Sequence, residues 1–171
     1  MSKPIILNVR SLGDIIEIQG LKIQLPKKPK KRDILFSNKK KAEQRWVREE
    51  MPKGLNRETA VDYYEYIEEE FKRRREGLWF MNNGEPTYIT GSHYMFIQWS
   101  NIDVGYPDYR DANRKFFLFW QACKIDPNCM GMCFLKNRRS GFSYMASAEM
   151  VNQATQTYES NFGLLSKTGS E

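Results

Sequence analysis

A short stretch toward the carboxyl end of the sequence has the residue types of a phosphate-binding loop. An apolar run at residues 129–135 is followed by a polar turn around Gly141 and then by a helix-forming segment. In such loops a buried strand leads into a turn at the N-terminus of the next helix, where unpaired backbone N–H groups and the helix dipole favour an anion. Residues 129–149 therefore predict a strand, a loop and a helix, with phosphate as the bound group.

The loop departs from the usual pattern G-x-x-x-x-G-K-[ST], in which the lysine reaches the outer phosphates and the hydroxyl binds Mg²⁺. Gly141 takes the position of the second glycine and Ser143 that of the hydroxyl, whereas Phe142 stands in the lysine position. Other cations of the loop can supply the missing charge: Lys136, Arg138 and Arg139. An ordinary strand-to-helix turn with solvated cations fits the same residues and stays open.

Residues 136–143, K-N-R-R-S-G-F-S, resemble the ATP-binding loop of the large terminase subunits of tailed bacteriophages, whose lysine is displaced toward the loop start. A second block, residues 77–96, is similar to a segment that precedes this loop in terminases of crAss-like and related phages. The resemblance covers most of the chain from Arg73 onward. It implies an ATP hydrolase that drives viral DNA into a preformed capsid.

The resemblance also implies roles for individual residues, with ATP and Mg²⁺ as cofactors. The expected nucleotide-binding residues are Lys136, Asn137, Arg138, Arg139, Ser140, Gly141, Phe142 and Ser143. Lys136 and Arg139 are expected to stabilise charge on the transferring phosphoryl group, and Ser143 to bind the metal. The aspartate-bearing strand, the catalytic glutamate and the nuclease domain of the family are expected beyond Glu171, so this piece would bind nucleotide without hydrolysing it.

The same resemblance predicts the partners and the location. These are double-stranded viral DNA, the portal protein, the small terminase subunit and further copies of the chain in a homo-oligomeric ring, all in the host bacterial cytoplasm. A membrane location is not expected, since the sequence has no signal peptide pattern and no apolar stretch of spanning length.

The elements expected around this loop indicate an α/β fold. We expect the chain to divide into three consecutive ranges. Residues 1–55 are expected to be a basic extension with short strands and a linker, and residues 56–128 a helical and hairpin region. Residues 129–171 would hold the first strand, the loop, a helix and a second strand at 162–165, which open the parallel sheet of a P-loop ATPase. The short remainder after that strand predicts a truncated chain.

Hydrophobic periodicity and turn residues predict the other elements. Helices are expected from Asn56 to Gly77, at 113–123 with its aromatic residues on the sheet, and, shorter, at 42–48. Residues 94–99 can form either a helix or a strand. Short strands are expected at 5–9, 15–19 and 21–25, an extended link at 26–32, and a hairpin at 78–90.

The charge is unevenly distributed. Residues 1–57 contain 15 Lys and Arg against 6 Asp and Glu, a net +9, whereas residues 58–171 contain 12 against 15, a net −3. This asymmetry favours a polyanionic partner, although a solvated basic arm explains it as well. Two other functions therefore stay open: a nucleic-acid-binding module that acts without ATP, and a structural adaptor.

The cysteines and the histidine do not form a familiar metal motif. Cys123, Cys129 and Cys133 have spacings that fit no zinc pattern with the single His93. We expect reduced cysteines in the core and a structural, hydrogen-bonded histidine.

Overall fold

A computed structural model describes residues 12–136 and 140–163 of the chain. Within these residues the fold is mixed α/β, with two antiparallel two-stranded sheets and four α-helices. The chain forms two compact units: the first contains residues 12–47, 78–90 and 108–134, and the second contains 48–77, 91–107 and 135–163. These units interleave along the chain, whereas the sequence predicted three consecutive ranges. None of the described helices is long and apolar enough to cross a membrane.

The first unit begins with a hairpin of β1 (Leu12–Ile18) and β2 (Leu21–Pro26), which the sequence predicted. Gln19 and Gly20 connect the strands with φ values of 50° and 81°, the positive pair that a tight hairpin turn requires. Ile16 faces Ile23 across the ladder. The expected strand at 5–9 lies outside the described residues.

A second hairpin joins β3 (Leu78–Asn82) to β4 (Glu85–Ile89), again as predicted. Asn83 and Gly84 form its turn with φ values of 50° and 90°. Trp79 pairs with Tyr88 across the strands, and their rings lie 5.6 Å apart.

Helix α3 (Asp111–Ile125) completes the core of the first unit and confirms the predicted aromatic helix. Its Leu118 and Ala122 are buried in one cluster with β-strand residues of both hairpins: Ile23, Leu25 and Tyr88. The Nε of Arg114 donates a hydrogen bond of 2.7 Å to the backbone oxygen of Tyr88. The helix therefore packs on the strands through its apolar face.

Residues 27–46 contain two single turns of 3-10 helix, Lys31–Asp33 and Lys41–Glu43, rather than an α-helix. The predicted helix at 42–48 is wrong. Gln44 is buried and its Nε2 donates to the backbone oxygen of Lys39 at 2.9 Å, while Trp46 packs on Phe80. These tertiary contacts override the local helix preference.

Helix α1 (Tyr64–Glu76) belongs to the second unit and confirms the later part of the predicted helix, whereas the predicted start at Asn56 is wrong because α1 begins at Tyr64. Asn56 begins the turn before it, because its Oδ1 accepts the N–H groups of Glu58 and Thr59 at 2.8 and 3.1 Å. One turn of 3-10 helix, Ala60–Tyr63, follows. Gly77 ends α1 as predicted, and its N–H donates to the oxygen of Arg73 at 2.9 Å.

Helix α2 (Gly91–Trp99) resolves the segment that the sequence left open between helix and strand. It begins at Gly91, so Ser92 lies inside the helix instead of capping it. Most of its residues are buried, because α1 packs against it and so does α4 (Phe142–Ala154). A helix covered on several sides is apolar nearly all round, which is why its pattern was ambiguous.

The buried strand predicted at 129–135 is wrong. Residues 129–136 are irregular, and the Leu135 side chain is 100% exposed. Gly131, at a φ of 152°, interrupts the run. No strand of the described chain pairs with this segment, and a strand without a partner leaves its backbone groups unsatisfied.

Other parts of the same prediction have different outcomes. Helix α4 follows the loop as expected. Among the described residues the sheets are antiparallel, and the parallel sheet is not among them. Residues 162 and 163 are irregular, while 164 and 165 lie outside the described residues. The core placement of the cysteines is also wrong in part, since Cys133 is exposed and Cys123 and Cys129 are only half-buried.

Candidate functional site

The loop glycine adopts a backbone conformation that favours glycine. Gly141 lies directly before α4 with φ at 77° and ψ at 7°, in the left-handed region that L side chains rarely adopt. Its carbonyl accepts the first hydrogen bond of the helix, from the N–H of Met145 at 3.1 Å. Because the cap residue is a glycine, Gly141 itself supplies no capping side chain to this N-terminus. The positive end of the helix dipole lies at this turn.

The structure places the predicted site residues unequally. Phe142 is half-buried as the first residue of α4, and Ser143 is exposed in its first turn. Ser140 is exposed before the glycine, and Lys136 is exposed in the irregular segment. The remaining predicted residues, Asn137, Arg138 and Arg139, lie outside the described residues. Gly141, Phe142 and Ser143 are thus brought together at one helix start.

The Ser143 hydroxyl fits the expected Mg²⁺ in part. It is exposed in the first turn of α4, where an oxygen ligand and a bound phosphate can share one cation. The described residues contain no group of three or more His, Cys, Asp or Glu side chains that could hold a metal. Ser143 would thus bind Mg²⁺ mainly together with phosphate oxygens and water.

An open cleft of about 260 Å³ lies along α4. Its walls combine aromatic and aliphatic side chains of α2 and α4 with the turn at residues 100–102, among them Met95, Trp99, Tyr144 and Val151. Small residues of α4, Ser147 and Ala148, line it as well. A hydrogen bond to Asp103 raises the pKa of the Tyr144 hydroxyl above its ordinary value. The lining of the cleft is mainly apolar.

A buried carboxylate, which the sequence analysis missed, holds α1 to α2. Glu70 is buried, and its oxygens accept hydrogen bonds from the Tyr94 hydroxyl at 2.6 and 2.7 Å and from Trp99 Nε1 at 3.0 Å. The guanidinium of Arg73 lies 3.3 Å from Glu70 and 2.8 Å from Glu49. A buried charge with this many donors is a structural element, because each donor offsets its loss of water.

The pKa values within this network follow from burial and from hydrogen bonds. Burial raises the pKa of the Tyr94 hydroxyl, and its hydrogen bond to Glu70 raises it further. Burial lowers the pKa of the Arg73 guanidinium, but hydrogen bonds with Tyr94 and Glu49 outweigh this effect, so the net pKa is raised. Both groups therefore keep their protons across the ordinary pH range.

Asn152 is a second residue that the sequence analysis missed, and it fixes the position of α4. Its Nδ2 donates to the backbone oxygen of Arg74 at 2.9 Å and to the Ser92 hydroxyl at 3.3 Å. Its Oδ1 accepts Arg74 Nε at 3.0 Å and Gln156 Nε2 at 2.8 Å. The helix that carries Gly141 and Ser143 at its start is therefore attached to both α1 and α2.

No protein-family model, curated protein or solved structure matches this chain. The functional assignment therefore depends on the residues of the site and on the resemblance of the loop.

Proposed function

We propose that this chain is the N-terminal part of the large terminase subunit of a tailed bacteriophage, the ATP-driven motor that packages viral DNA. The observation that carries the proposal is the start of α4. Gly141 precedes it in a left-handed conformation and supplies no capping side chain, and Ser143 is exposed in the first turn. Anionic phosphates bind favourably at such a helix start.

In this proposal the backbone of residues 140–143 holds the phosphates of ATP and Ser143 contributes a ligand to Mg²⁺. Bound Mg²⁺ neutralises phosphate charge during phosphoryl transfer. Lys136 and Arg139 stabilise the same charge, and Arg138 contributes less. The exposure of Lys136 supports its part, since its side chain is not engaged in the core.

The parallel sheet of a P-loop ATPase is also part of the proposal, whereas residues 129–135 are irregular and are not assigned to it. The terminase partners, namely duplex DNA, portal protein, small subunit and further copies in a ring, belong to this proposal.

Nucleotide binding to the chain tests the proposal directly. Fluorescent ATP would be titrated with the protein in the presence of Mg²⁺, and we expect weak, saturable binding without turnover. Lys136→Ala and Arg139→Ala should each weaken binding by about 1–3 kcal/mol, because each removes a charge-assisted contact, and Arg138→Ala should weaken it less. Lys115→Ala removes another exposed cation, on α3, and serves as the matched control.

Two results contradict the proposal. One is the absence of ATP binding by a chain whose circular dichroism spectrum shows the helices. The other is an equal loss of ATP affinity in Lys136→Ala and Lys115→Ala, because the net charge alone would then explain the contribution of Lys136. Either result would favour the nucleic-acid-binding module that acts without ATP.

A further inference from the structure

The most basic part of the described chain is residues 27–45, which we call the basic segment. It contains nine Lys and Arg and two Asp and Glu, a net +7. The sequence predicted an extended link at its start. The structure instead shows it as irregular chain with two short 3-10 turns and defined contacts to the β3–β4 hairpin.

Backbone hydrogen bonds attach the basic segment to this hairpin. The N–H of Met81 donates to the oxygen of Leu35 at 2.8 Å, and the N–H of Asn83 donates to the oxygen of Gln44 at 2.7 Å. Ile34, next to the first of these attachments, is only 3% exposed. The stretch from Leu35 to Gln44 is therefore attached at both of its ends, to strand β3 and to the turn that follows it.

Aromatic packing strengthens the attachment. The Trp46 ring lies 5.6 Å from the Phe80 ring and 6.1 Å from the Phe36 ring, both edge to face. Lys39 Nζ lies 4.7 Å from the centroid of Phe36. The stem of Lys41 crosses Gly84 so closely that a Cβ there would lie 2.8 Å from it. The segment is thus part of the folded first unit.

The charges of the basic segment point outward. All of its cations except the half-buried Lys39 are exposed: Lys27, Lys28, Lys30, Lys31, Arg32, Lys40, Lys41 and Arg45. Among the residues that the structure describes, Arg32 with Asp33, 3.6 Å apart, is the ion pair of this segment. Clustered like charges repel one another, which destabilises the fold in the absence of a polyanion.

We propose that the basic segment binds the phosphate backbone of double-stranded nucleic acid without regard to sequence. A duplex offers closely spaced negative charges along a line, and each neutralised phosphate releases counterions. Because folding has already ordered the segment, less conformational entropy is lost on binding. Binding of single strands commonly uses exposed aromatic rings for base stacking, whereas Phe36 and Trp46 are occupied in packing.

This inference deepens the proposed function, since it assigns the DNA of the motor to a surface distant in sequence from the ATP loop. The inference depends on the charge and the defined structure of residues 27–45, whereas the ATP proposal depends on residues 136–143. The test below contains no nucleotide, so either proposal can fail while the other stands.

The experiment measures fluorescence anisotropy of a labelled DNA duplex titrated with the full chain at a series of salt concentrations. The test variant replaces Lys28, Lys30 and Lys40 by Gln; these residues are exposed, and their side chains take no part in the attachments described above. The control variant replaces Lys22, Arg110 and Lys115 by Gln, three exposed cations of the same unit outside the segment. Both triple variants lower the net charge equally.

We expect the slope of log K against log salt to become shallower by about 0.9 for each phosphate that the test variant no longer neutralises. The affinity should fall about tenfold or more, while the control variant changes little. Equal losses of affinity in both variants would overturn the proposal, because the net charge alone would then explain binding. Tighter binding of a single strand of equal length, or equal displacement of DNA by polyglutamate, would overturn it as well.

Discussion

The Tyr94 hydroxyl lies 2.6 and 2.7 Å from the two carboxylate oxygens of Glu70, so one donor is shared between both oxygens. Glu70 is on α1 and Tyr94 is on α2, and both side chains are buried. This contact joins the two helices through a charged group. The contact therefore stabilises the packing of α1 on α2.

Tyr94→Phe removes the hydroxyl and leaves the Glu70 carboxylate with fewer donors. We expect the free energy of unfolding to fall by about 1.5–3 kcal/mol, the range for hydrogen bonds to a charged group. Urea unfolding followed by circular dichroism measures the change. Tyr158→Phe alters a tyrosine that is 90% exposed and should leave the midpoint almost unchanged. Equal midpoints for both variants would show that the Tyr94 contact adds no stability.

The stability should depend on pH in the alkaline range. The pKa of Tyr94 is raised from 10.0 by burial and by Glu70, so the unfolded chain releases this proton at a lower pH than the folded chain. The contribution of Tyr94 is complete below about pH 10 and is lost as the pH rises further. Urea unfolding at several pH values above neutrality should show this decline, with a smaller slope in Tyr94→Phe. Identical slopes would contradict it.

Asn152→Leu tests how α4 is attached to α1 and α2. Leucine has a similar branched shape but leaves the oxygen of Arg74 and the hydroxyl of Ser92 without the Nδ2 donor. We expect a loss of about 2 kcal/mol or more in unfolding free energy. Asn128→Leu, at an exposed position, is the control for the change of residue type. If Asn152→Leu lowers the unfolding free energy by only a small fraction of this amount, α4 is held by apolar packing alone.

Gly91→Ala tests the close approach of α2 to the end of α1. A Cβ at Gly91 would lie 2.0 Å from the backbone oxygen of Arg74, so a backbone segment must move to accept it. We expect about 1–3 kcal/mol of destabilisation from overpacking, measured as the shift of the urea midpoint. At Gly163 a Cβ would meet no atom within 4 Å. If Gly91→Ala and Gly163→Ala have the same midpoint, the approach of the two helices is looser than described.

Substitutions at Gly141 test whether glycine is required by the backbone conformation or by a lack of space for a side chain. A Cβ at this position meets no atom within 4 Å, but φ is +77°, so the cost of a side chain is conformational. Alanine should destabilise the folded state by about 1–2 kcal/mol, and asparagine by less because it tolerates this region better. Thermal unfolding of Gly141→Ala and Gly141→Asn measures both. The reverse order would mean that the left-handed conformation is not what selects glycine.

The hairpins and helices with strong local signals could be predicted from the sequence. Asn83-Gly84 dictates a tight turn, and the flanking residues of β3 and β4 pair on either side of it. The termination of α1 at Gly77 also depends on local backbone chemistry. In each case neighbours in the sequence determine the result, so a single sequence contains the necessary information.

The predictions that were wrong, and the residues that were missed, depend on contacts between residues distant in sequence. Residues 129–135 have the composition of a buried strand, yet a strand also requires a partner, and none of the described strands provides one. Residues 42–48 have helix-forming residues, but Trp46 packs on Phe80 instead. The Glu70 and Asn152 networks join side chains of different helices. The turn at Gly141 and the helix after it could be predicted because their signals are local.

The interleaving of the two units has a practical consequence for dissecting the protein. The chain passes from one unit to the other near residues 47, 77, 90, 107 and 134. A single excised stretch that contains one unit whole therefore also contains part of the other unit. A chain beginning at residue 48, for example, would lack Ile23 and Leu25 and bare the face of Leu118. Point substitutions, rather than subcloned halves, are the means to separate the roles of the basic segment and the loop.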